Sequence, residues 1–334
     1  MTKGRSRRTT FGFAVASAAL AFAFLLSLSI GAVNIPVADI VTWVTGGLSE
    51  DDLGSRVLSG VRFPRSLGAV VVGAVLGSTG AALQGINRTR VVDAHLIGIS
   101  AAGGLGVALG AVALPSGNLP PAIVVTGALF GGLYALTTRM LGRVGGGTTL
   151  VVLMGIAAGF TITAWTGVLV LGVDNPAVPT LSFFIFGSLV GAQTSVVVPA
   201  AVVSIIALGI LWRIGPGLDL LALGDRTAKH VGFDTKSMIP ISLVMVGVAV
   251  GSSVAIGGVI GFVGLIVPTV VRPIFGASQR VLIPAAAIVG AALVLVVDTA
   301  ARTLLSPIEI PIGLIMTGLG GPILIWLLRR EVLR

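Results

Sequence analysis

Residues 66–87 read SLGAVVVGAVLGSTGAALQGIN, a run of 22 residues without a charge between Arg65 and Arg88. A helix that crosses a bilayer needs about 20 consecutive apolar residues, so this stretch is long enough for one span. It is one of eight uncharged runs, and three of these are long enough for two spans. The eight runs are 9–38, 66–87, 94–138, 144–173, 175–212, 237–271, 281–297 and 310–328. This pattern predicts a helical integral membrane protein.

The composition indicates the same class. Hydrophobic residues make up 55% of the chain, charged residues make up 10%, and the mean hydropathy is +1.09. A soluble domain of this size does not have such a composition. The absence of cysteine excludes disulfides, thiol chemistry and Cys-ligated metals. The apolar stretch after Arg7 and Arg8 is too long for a signal peptide, so we expect it to be retained as the first span.

The basic residues fall mainly on one side when the connections are assigned alternately to two faces. Seventeen Lys and Arg lie on the face that holds both termini, and only Arg56, Arg62, Arg65 and Arg302 lie on the other. Cytoplasmic loops retain Lys and Arg, so this bias predicts cytoplasmic termini and an even number of spans. It also explains the net charge of +9 better than nucleic-acid binding does.

The predicted fold is a single all-α transmembrane domain, residues 1–334, with ten spans and both termini cytoplasmic. Residues 237–271 are short for two full helices, so we expect a break near Gly257 and Gly258, sheltered by protein. The predicted spans are 11–32, 66–86, 94–112, 121–140, 148–171, 196–213, 238–256, 260–275, 281–301 and 311–328.

The 48 glycines indicate close packing between helices. Many are four residues apart, as are Gly127 and Gly131, and Gly247 and Gly251. Small residues one turn apart allow helix backbones to approach each other in lipid. The spacing therefore predicts a compact bundle, and it favours this interpretation strongly over a phosphate-binding loop.

The chain lacks the residues of an ATP site. Its three lysines, Lys3, Lys229 and Lys236, do not follow a glycine, so a Walker A loop is excluded. Ion-driven carriers usually place ionisable residues at mid-membrane depth, and Asp298 is the one good candidate in the sequence. Arg302 lies one turn further on, a spacing that favours a local ion pair over a proton relay.

Two histidines, His95 and His230, are too far apart in sequence to suggest a shared metal site. We interpret His95 as lining the start of a helix and His230 as lying in a solvated loop. Clustered Asp, Glu or His at one membrane face would indicate an integral-membrane enzyme, and the sequence contains no such cluster. No catalytic residue and no metal site are predicted.

The connection 215–237 is too polar to span a membrane and too patterned for a simple linker. Residues 217–233 read GLDLLALGDRTAKHVGF. Leu218, Leu221, Ala228 and Val231 would form the apolar sides of two short helices broken at Gly224. Such a pair suits a groove on a cytoplasmic partner. A pair of interfacial helices lying on lipid headgroups is the alternative.

Motifs from about residue 55 to residue 330 resemble those of the FecCD family, the permeases of importers for iron siderophores, heme and vitamin B12. The segment 217–233 resembles the family's coupling helices. The other similar motifs, in order, are Arg62-Phe-Pro-Arg65; Leu83-Gln84-Gly85 with Arg88, Asp93 and 96–100; 261–268 with Arg272; 298–302; 309–313; and 320–322 with Trp326. Their number and order make the resemblance specific. The chain departs from the family pattern at Thr89, Arg90, Ala94 and Thr269.

The resemblance implies a permease subunit that works as a homodimer or with a paralogue, with the substrate path between the two subunits. It implies two cytoplasmic ATPase subunits, which would hold ATP and Mg²⁺, and an extracytoplasmic substrate-binding protein. This chain would bind no cofactor and no nucleic acid. The residues implied in coupling to the ATPase are Leu218, Leu221, Gly224, Asp225, Arg226, Ala228, Val231 and Gly232.

By the same resemblance, the fifth helix would line the translocation path with Thr161, Thr163, Trp165 and Thr166. Ordinary helix packing, with the threonines bonded to their own helix backbone, is the alternative.

The four outer arginines are implied in docking the binding protein. In related permeases, the arginines that match Arg62, Arg65 and Arg302 face acidic residues, and Arg–carboxylate pairs are geometrically specific. Arg56 would contribute to this surface or balance Asp51 and Asp52. The alternatives are side chains that extend toward the headgroups and, for Arg302, pairing with Asp298.

The predicted function is that of the permease subunit of an ATP-binding-cassette importer in the cytoplasmic membrane of a prokaryote. A ferric siderophore or heme leads as cargo because iron chelates are the commoner cargo of the family. A cobalamin permease of the same family is the alternative. An ion-coupled secondary carrier is less favoured because the spans hold little buried charge.

Overall fold

The computed structural model describes residues 2–31, 33–47, 49, 52–113, 119–142, 147–172, 180–221, 234–306 and 308–332. Within these ranges helices are joined by turns and irregular connections, and no strand occurs, which confirms the predicted all-α class. The helices are α1 Thr2–Ser29, α2 Val37–Val44, α3 Leu53–Val57, α4 Phe63–Asn87, α5 Ile99–Ala113, α6 Leu119–Gly142, α7 Gly147–Leu171, α8 Leu181–Phe186, α9 Thr194–Leu221, α10 Thr235–Gly257, α11 Val263–Phe275, α12 Gln279–Thr303 and α13 Ile312–Val332. A π-helical turn, Leu58–Arg62, joins α3 to α4.

Length and apolarity make most of these helices suitable for a bilayer. Over the described ranges, eight helical stretches are long and apolar enough to cross a membrane, and α5 and α11 are shorter apolar helices. The most apolar segment of the stretch Leu53–Asn87, which includes α4, is 78% buried. The most apolar segment of α7 is only 11% buried. The helix α4 is therefore central, and α7 leaves most of its surface to lipid or to another chain.

The core is built around α4, which packs against α9, α10, α11 and α12. A second set of contacts joins α6 to α5 and α10. Glycines form the closest crossings. A Cβ atom at Gly73 would collide with the backbone of Gly290 on α12, and one at Gly80 would collide with Gly264 on α11. The backbones meet there because no side chain separates them.

Two helix starts differ from the predicted spans. The predicted span 94–112 is helical only from Ile99, because Gly98 has a φ of +81° and the preceding residues form turns. The predicted span 260–275 is helical only from Val263, after Phe262 with a φ of +66°. Residues 258–262 separate α10 from α11, and buried neighbours shelter this non-helical backbone.

The C-terminal end of α9 also differs. The sequence predicts a span that ends at residue 213 and a loop over 215–237, yet α9 continues to Leu221 through Pro216. Leu218 and Leu221 bury their side chains on the core side of this last turn. Burial of these two leucines stabilises a helical end that the Gly, Pro and Asp content of the segment disfavours.

Candidate functional site

One end of the bundle holds a buried cluster of charges, which we call the outer charge cluster (Arg62, Arg65, Asp298, Arg302 and Glu309). Its centre is Arg65 on the first turns of α4. Arg65 Nε lies 3.1 and 3.0 Å from the two carboxylate oxygens of Asp298, and Arg65 Nη2 lies 3.0 Å from Oδ1. Arg65 Nη1 donates to Glu309 Oε2 at 2.8 Å. Arg65 therefore has two carboxylate partners within its own chain.

The other two arginines of the cluster bind the C-terminal end of α1. Arg62 donates to the carbonyl oxygens of Ser29, at 2.9 Å, and of Val33. Arg302 Nη2 donates to the carbonyl oxygen of Ser27, and it lies 3.0 Å from the Ser27 hydroxyl. The last carbonyls of a helix have no partners within the helix, so these guanidinium groups satisfy a helix end.

Three of the arginines predicted to dock a binding protein are thus bound within their own chain, and their docking role stays a prediction. Arg62, Arg65 and Arg302 are only 4%, 5% and 8% exposed, so a binding protein does not reach their guanidinium groups in this structure. The sequence offers a pair of Arg302 with Asp298 as the alternative. In the structure Asp298 pairs with Arg65 instead, and Arg302 contacts Ser27. Arg56 is exposed, and it keeps its predicted role as a hypothesis.

The opposite end of the bundle carries a cleft of about 340 Å³ beside the last turn of α9. Arg88, Arg90 and Arg272 line it, together with Gln84 and Gln279. Arg272 Nη2 donates to Gln84 Oε1 at 2.9 Å. We call this cleft, which three arginines line, the three-arginine cleft. Arg88 also ends α4 in the left-handed conformation, with a φ of +56°.

The last turn of α9 fixes the wall of the three-arginine cleft. Asp219 accepts hydrogen bonds from the Gln279 amide at 2.6 Å and from the Ser278 hydroxyl at 2.7 Å, so its side chain satisfies the N-terminus of α12. Leu218 and Leu221 are 1% and 0% exposed. The two leucines are three positions apart on one helix, so both side chains face the chain's own core. Their predicted part in an apolar docking side stays a prediction.

The remaining predicted coupling residues, Gly224, Asp225, Arg226, Ala228, Val231 and Gly232, lie outside the described residues. They connect Leu221, beside the three-arginine cleft, to Asp234, which accepts the Lys236 amide at 3.0 Å at the start of α10. Hydrogen bonds from the Ser237 hydroxyl and the Lys236 amide lower the pKa of Asp234. The segment thus begins and ends on two fixed helix ends.

The four predicted pathway residues lie on different faces of α7. Thr161 is exposed, Trp165 is 65% exposed and Thr166 is buried. The hydroxyls of Thr161 and Thr166 donate to carbonyls of their own helix at 2.9 and 2.8 Å, as the packing alternative predicts. Thr163 lines a cavity of about 390 Å³. Thr163 is therefore the one of the four that lines this cavity.

A buried aspartate, Asp93, joins the α4–α5 connection to the start of α11. Its Oδ1 accepts the Ala94 amide at 2.7 Å, and its Oδ2 accepts the Phe262 amide at 3.0 Å. These bonds favour the charged carboxylate, but burial opposes it more strongly and raises the pKa of Asp93 to about 6. The sequence marks Asp93 only as part of a motif, since its partner is 169 positions away.

The raised pKa predicts a pH effect on stability. The ordinary pKa of 3.8 rises to about 6 on folding, so the folded chain holds the Asp93 proton more tightly than the unfolded chain. The contribution to stability is full below about pH 4 and is lost as the pH rises through about 6. We expect the melting temperature of the wild type to fall over this interval relative to Asp93→Asn, which cannot titrate. Parallel curves for the two proteins would contradict the assignment.

In the described part of the chain, no group of three His, Cys, Asp or Glu side chains could hold a metal ion.

The comparisons with known proteins cover nearly the whole chain. The sequence profile of the FecCD transport family matches residues 19–330. A hemin transport system permease protein of Yersinia pestis is 35% identical over 315 residues, covering 92% of this chain and 93% of the relative. A vitamin B12 import system permease protein of Vibrio cholerae is 31% identical, with 92% of each chain covered. An Fe(3+)-citrate import system permease protein of Bacillus subtilis is 31% identical, covering 98% of this chain and 97% of the relative.

A solved structure, titled as an inward-facing conformation of a metal-chelate type ABC transporter, superposes with a TM-score of 0.79 at 27% identity. The superposition covers 96% of this chain and 99% of the chain in the solved structure. The similarity thus includes the order and packing of the helices as well as the motifs. The chain belongs to the FecCD transport family.

Proposed function

We propose that this chain is the membrane-spanning permease subunit of an ATP-binding-cassette importer for an iron chelate. The observation that carries the proposal is the end-to-end similarity to import permeases, with more than nine-tenths of both chains aligned in the hemin and Fe(3+)-citrate relatives. A multi-pass chain of this kind lies in the cytoplasmic membrane. ATP hydrolysis takes place on a separate subunit.

The proposed topology has ten spans with both termini in the cytoplasm. The eight long apolar helical stretches, with the shorter α5 and α11, supply that number. Its support is the unequal distribution of basic residues: four arginines, among them Arg62, Arg65 and Arg302, belong to one end of the bundle, whereas the connections at the end of Arg88, Arg90 and Arg272 carry the other seventeen Lys and Arg. Basic loops favour the cytoplasm, so the three-arginine cleft lies at the cytoplasmic end.

The proposed ATPase contact is the segment 222–233. It leaves the bundle beside the three-arginine cleft, where α4, α9, α11 and α12 converge. A partner that moves this segment therefore acts at a junction of four helices. Closure of the ATPase subunits on ATP would change the packing of the helices and the side on which the path is open.

Bulky substitutions in this segment test the coupling. We expect Gly224→Trp with Ala228→Trp to abolish most ATP-dependent uptake of the iron chelate, because the added rings prevent the segment from seating on the ATPase. ATP hydrolysis should continue without transport. The measurement compares uptake and phosphate release in vesicles that contain the complete importer.

The matched control is Gly209→Leu on α9, where a Cβ would meet no atom within 4 Å. It adds bulk to the adjoining helix at a site remote from the proposed contact, so uptake and hydrolysis should both stay close to the wild type. Unchanged uptake in the Gly224 and Ala228 double variant would remove the coupling assignment.

The proposed transport path lies between this chain and a second permease subunit, and α7 lines it. The support is the exposed face of α7, which includes Trp165 and Phe160, 65% and 74% exposed. An extracytoplasmic binding protein would deliver the chelate to the outer end, with Arg56 as a candidate contact.

Cobalamin is the second candidate cargo, because the vitamin B12 permease aligns over a similar share of the chain. Deleting this chain and measuring uptake of labelled heme, ferric siderophore and cobalamin decides among the three.

A further inference from the structure

The cavity beside Thr163 has the dimensions and walls of a ligand site. Its volume of about 390 Å³ falls in the range of small-molecule pockets, about 300–1,000 Å³. It lies where α7, α8, α13 and the two non-helical connections 88–98 and 258–262 meet. Non-helical backbone within a membrane protein is sheltered by protein or lines a cavity, and two non-helical connections border this one.

The walls are aromatic and apolar. Phe160, Phe184 and Phe262 line it, together with Thr163 and Thr317. Among the described residues that line the cavity, none is Asp, Glu, Lys or Arg. Such walls suit a flat hydrophobic ring system, which stacks on aromatic side chains. They do not suit a polar chelate that needs many hydrogen bonds.

The one titratable group among the described lining residues is the imidazole of His95. The His95 ring lies against the backbone of Gly261, because a Cβ atom added to Gly261 would come within 2.8 Å of His95 Cδ2. The centroid of the His95 ring is 6.1 Å from the centroid of the Phe262 ring. These two neighbours hold the ring at the cavity wall. Imidazole is the commonest protein ligand for metals, and it is the proximal ligand of haem iron in globins and peroxidases.

A single imidazole can complete a metal centre only if the chelate leaves a coordination position open. The described residues offer no cluster of three ligands that could hold a bare ion. Hexadentate siderophores fill all six positions of ferric iron, which leaves none for a protein side chain. A porphyrin supplies four nitrogens in one plane and leaves the two axial positions open. One imidazole therefore selects a metal tetrapyrrole, and the apolar walls suit an iron porphyrin better than cobalamin, whose corrin ring carries many polar amide groups.

The geometry points to this cavity as a transient heme-binding site in which a His95 ring nitrogen takes an axial position on the iron. The inference rests on the proposed function and narrows its cargo to heme. The imidazole lone pair occupies the position and displaces a bound water, and the oxidation state of the iron does not change. Phe160 is 74% exposed, so the part of the macrocycle outside the cavity would extend over the free face of α7.

The test uses the complete importer in lipid nanodiscs without nucleotide, titrated with ferric heme. We expect a shifted Soret band and a low-spin electron paramagnetic resonance signal in the wild type. His95→Gln should lose the Soret shift and the low-spin signal. It should bind heme on the order of tenfold more weakly, because loss of a group that supports a metal site weakens binding by at least about that factor. His95→Met should keep ligation with a different band position, because the thioether is also an iron ligand.

Two controls separate ligation from a change in cavity shape. His230→Gln, at the only other histidine of the chain, should leave the heme spectrum unchanged. Iron-free protoporphyrin should bind the wild type and His95→Gln equally, since it uses the walls alone. A wild-type spectrum and affinity in His95→Gln would overturn the inference, as would equal weakening of both porphyrins.

The failure of this inference is distinguishable from the failure of the proposed function. If the wild type imports a ferric siderophore but neither binds nor imports heme, the His95 site is wrong and the importer assignment stands. If the complete importer moves no iron chelate on ATP, the proposed function itself fails.

Discussion

Replacing Asp298 with alanine is expected to destabilise the folded chain by about 3–5 kcal/mol, the cost of breaking a buried ion pair by removing one partner. Asp298 is 1% exposed and meets Arg65 through three contacts of 3.0–3.1 Å. Without the carboxylate, Arg65 keeps only Glu309, and its Nε–H loses its acceptor. The free energy of unfolding in detergent, or the melting temperature where unfolding is irreversible, measures the effect.

Glu309 supplies the matched control. Its side chain is 40% exposed, and it meets the same guanidinium at 2.8 Å. Exposed ion pairs contribute about 0–1 kcal/mol, so Glu309→Ala should cost far less than Asp298→Ala. The double variant Arg65→Met with Asp298→Leu should recover most of the loss, because a hydrophobic replacement removes both buried charges together.

The single variant Arg65→Met also tests the docking hypothesis. A docking role would make Arg65→Met weaken binding-protein affinity while leaving the melting temperature unchanged. The buried geometry predicts the reverse order: stability changes first, and affinity changes only as far as the fold is lost. Equal and small effects of Asp298→Ala and Glu309→Ala on stability would show that Asp298 is not the main partner.

The helices were predictable from sequence because the bilayer fixes their length and the apolar runs reveal it. The ends of the helices were not. The predicted loop after residue 213 is helical to Leu221, since burial of Leu218 and Leu221 outweighs the poor helix propensity of Gly215, Pro216 and Gly217. The spacing of Leu218 and Leu221 predicts an apolar side of a short helix, but it does not show that this side packs on the chain's own core.

The candidate site was predictable only in its residue types. The sequence places Asp298 and Arg302 one turn apart, and this spacing suggests a pair. The structure instead pairs Asp298 with Arg65, which is 233 positions away, and turns Arg302 toward Ser27, which is 275 positions away. Local spacing could not reveal such contacts, because they depend on which helices become neighbours.

The close glycine crossing of α6 and α10 supports a second prediction with a large effect. A Cβ at Gly251 would collide with the carbonyl oxygen of Gly127 and lie 2.6 Å from its carbonyl carbon. A Cβ at Gly103 on α5 would also come within 2.8 Å of the Gly251 Cα atom. Three helix backbones therefore converge at this glycine, and none of these atoms is a side chain that could move aside.

We expect Gly251→Ala to destabilise the fold by about 1–3 kcal/mol, the usual cost of overpacking, and Gly251→Leu to prevent folding. Gly209→Ala is the matched control, because Gly209 also lies inside a helix but has no atom within 4 Å of an added Cβ. Alanine is the better helix former by about 1 kcal/mol, so Gly209→Ala should be neutral or stabilising. One substitution is thus expected to act with opposite signs at two helical glycines. A Gly251→Ala variant that melts at or above the wild-type temperature would show that α6 and α10 do not meet at this glycine.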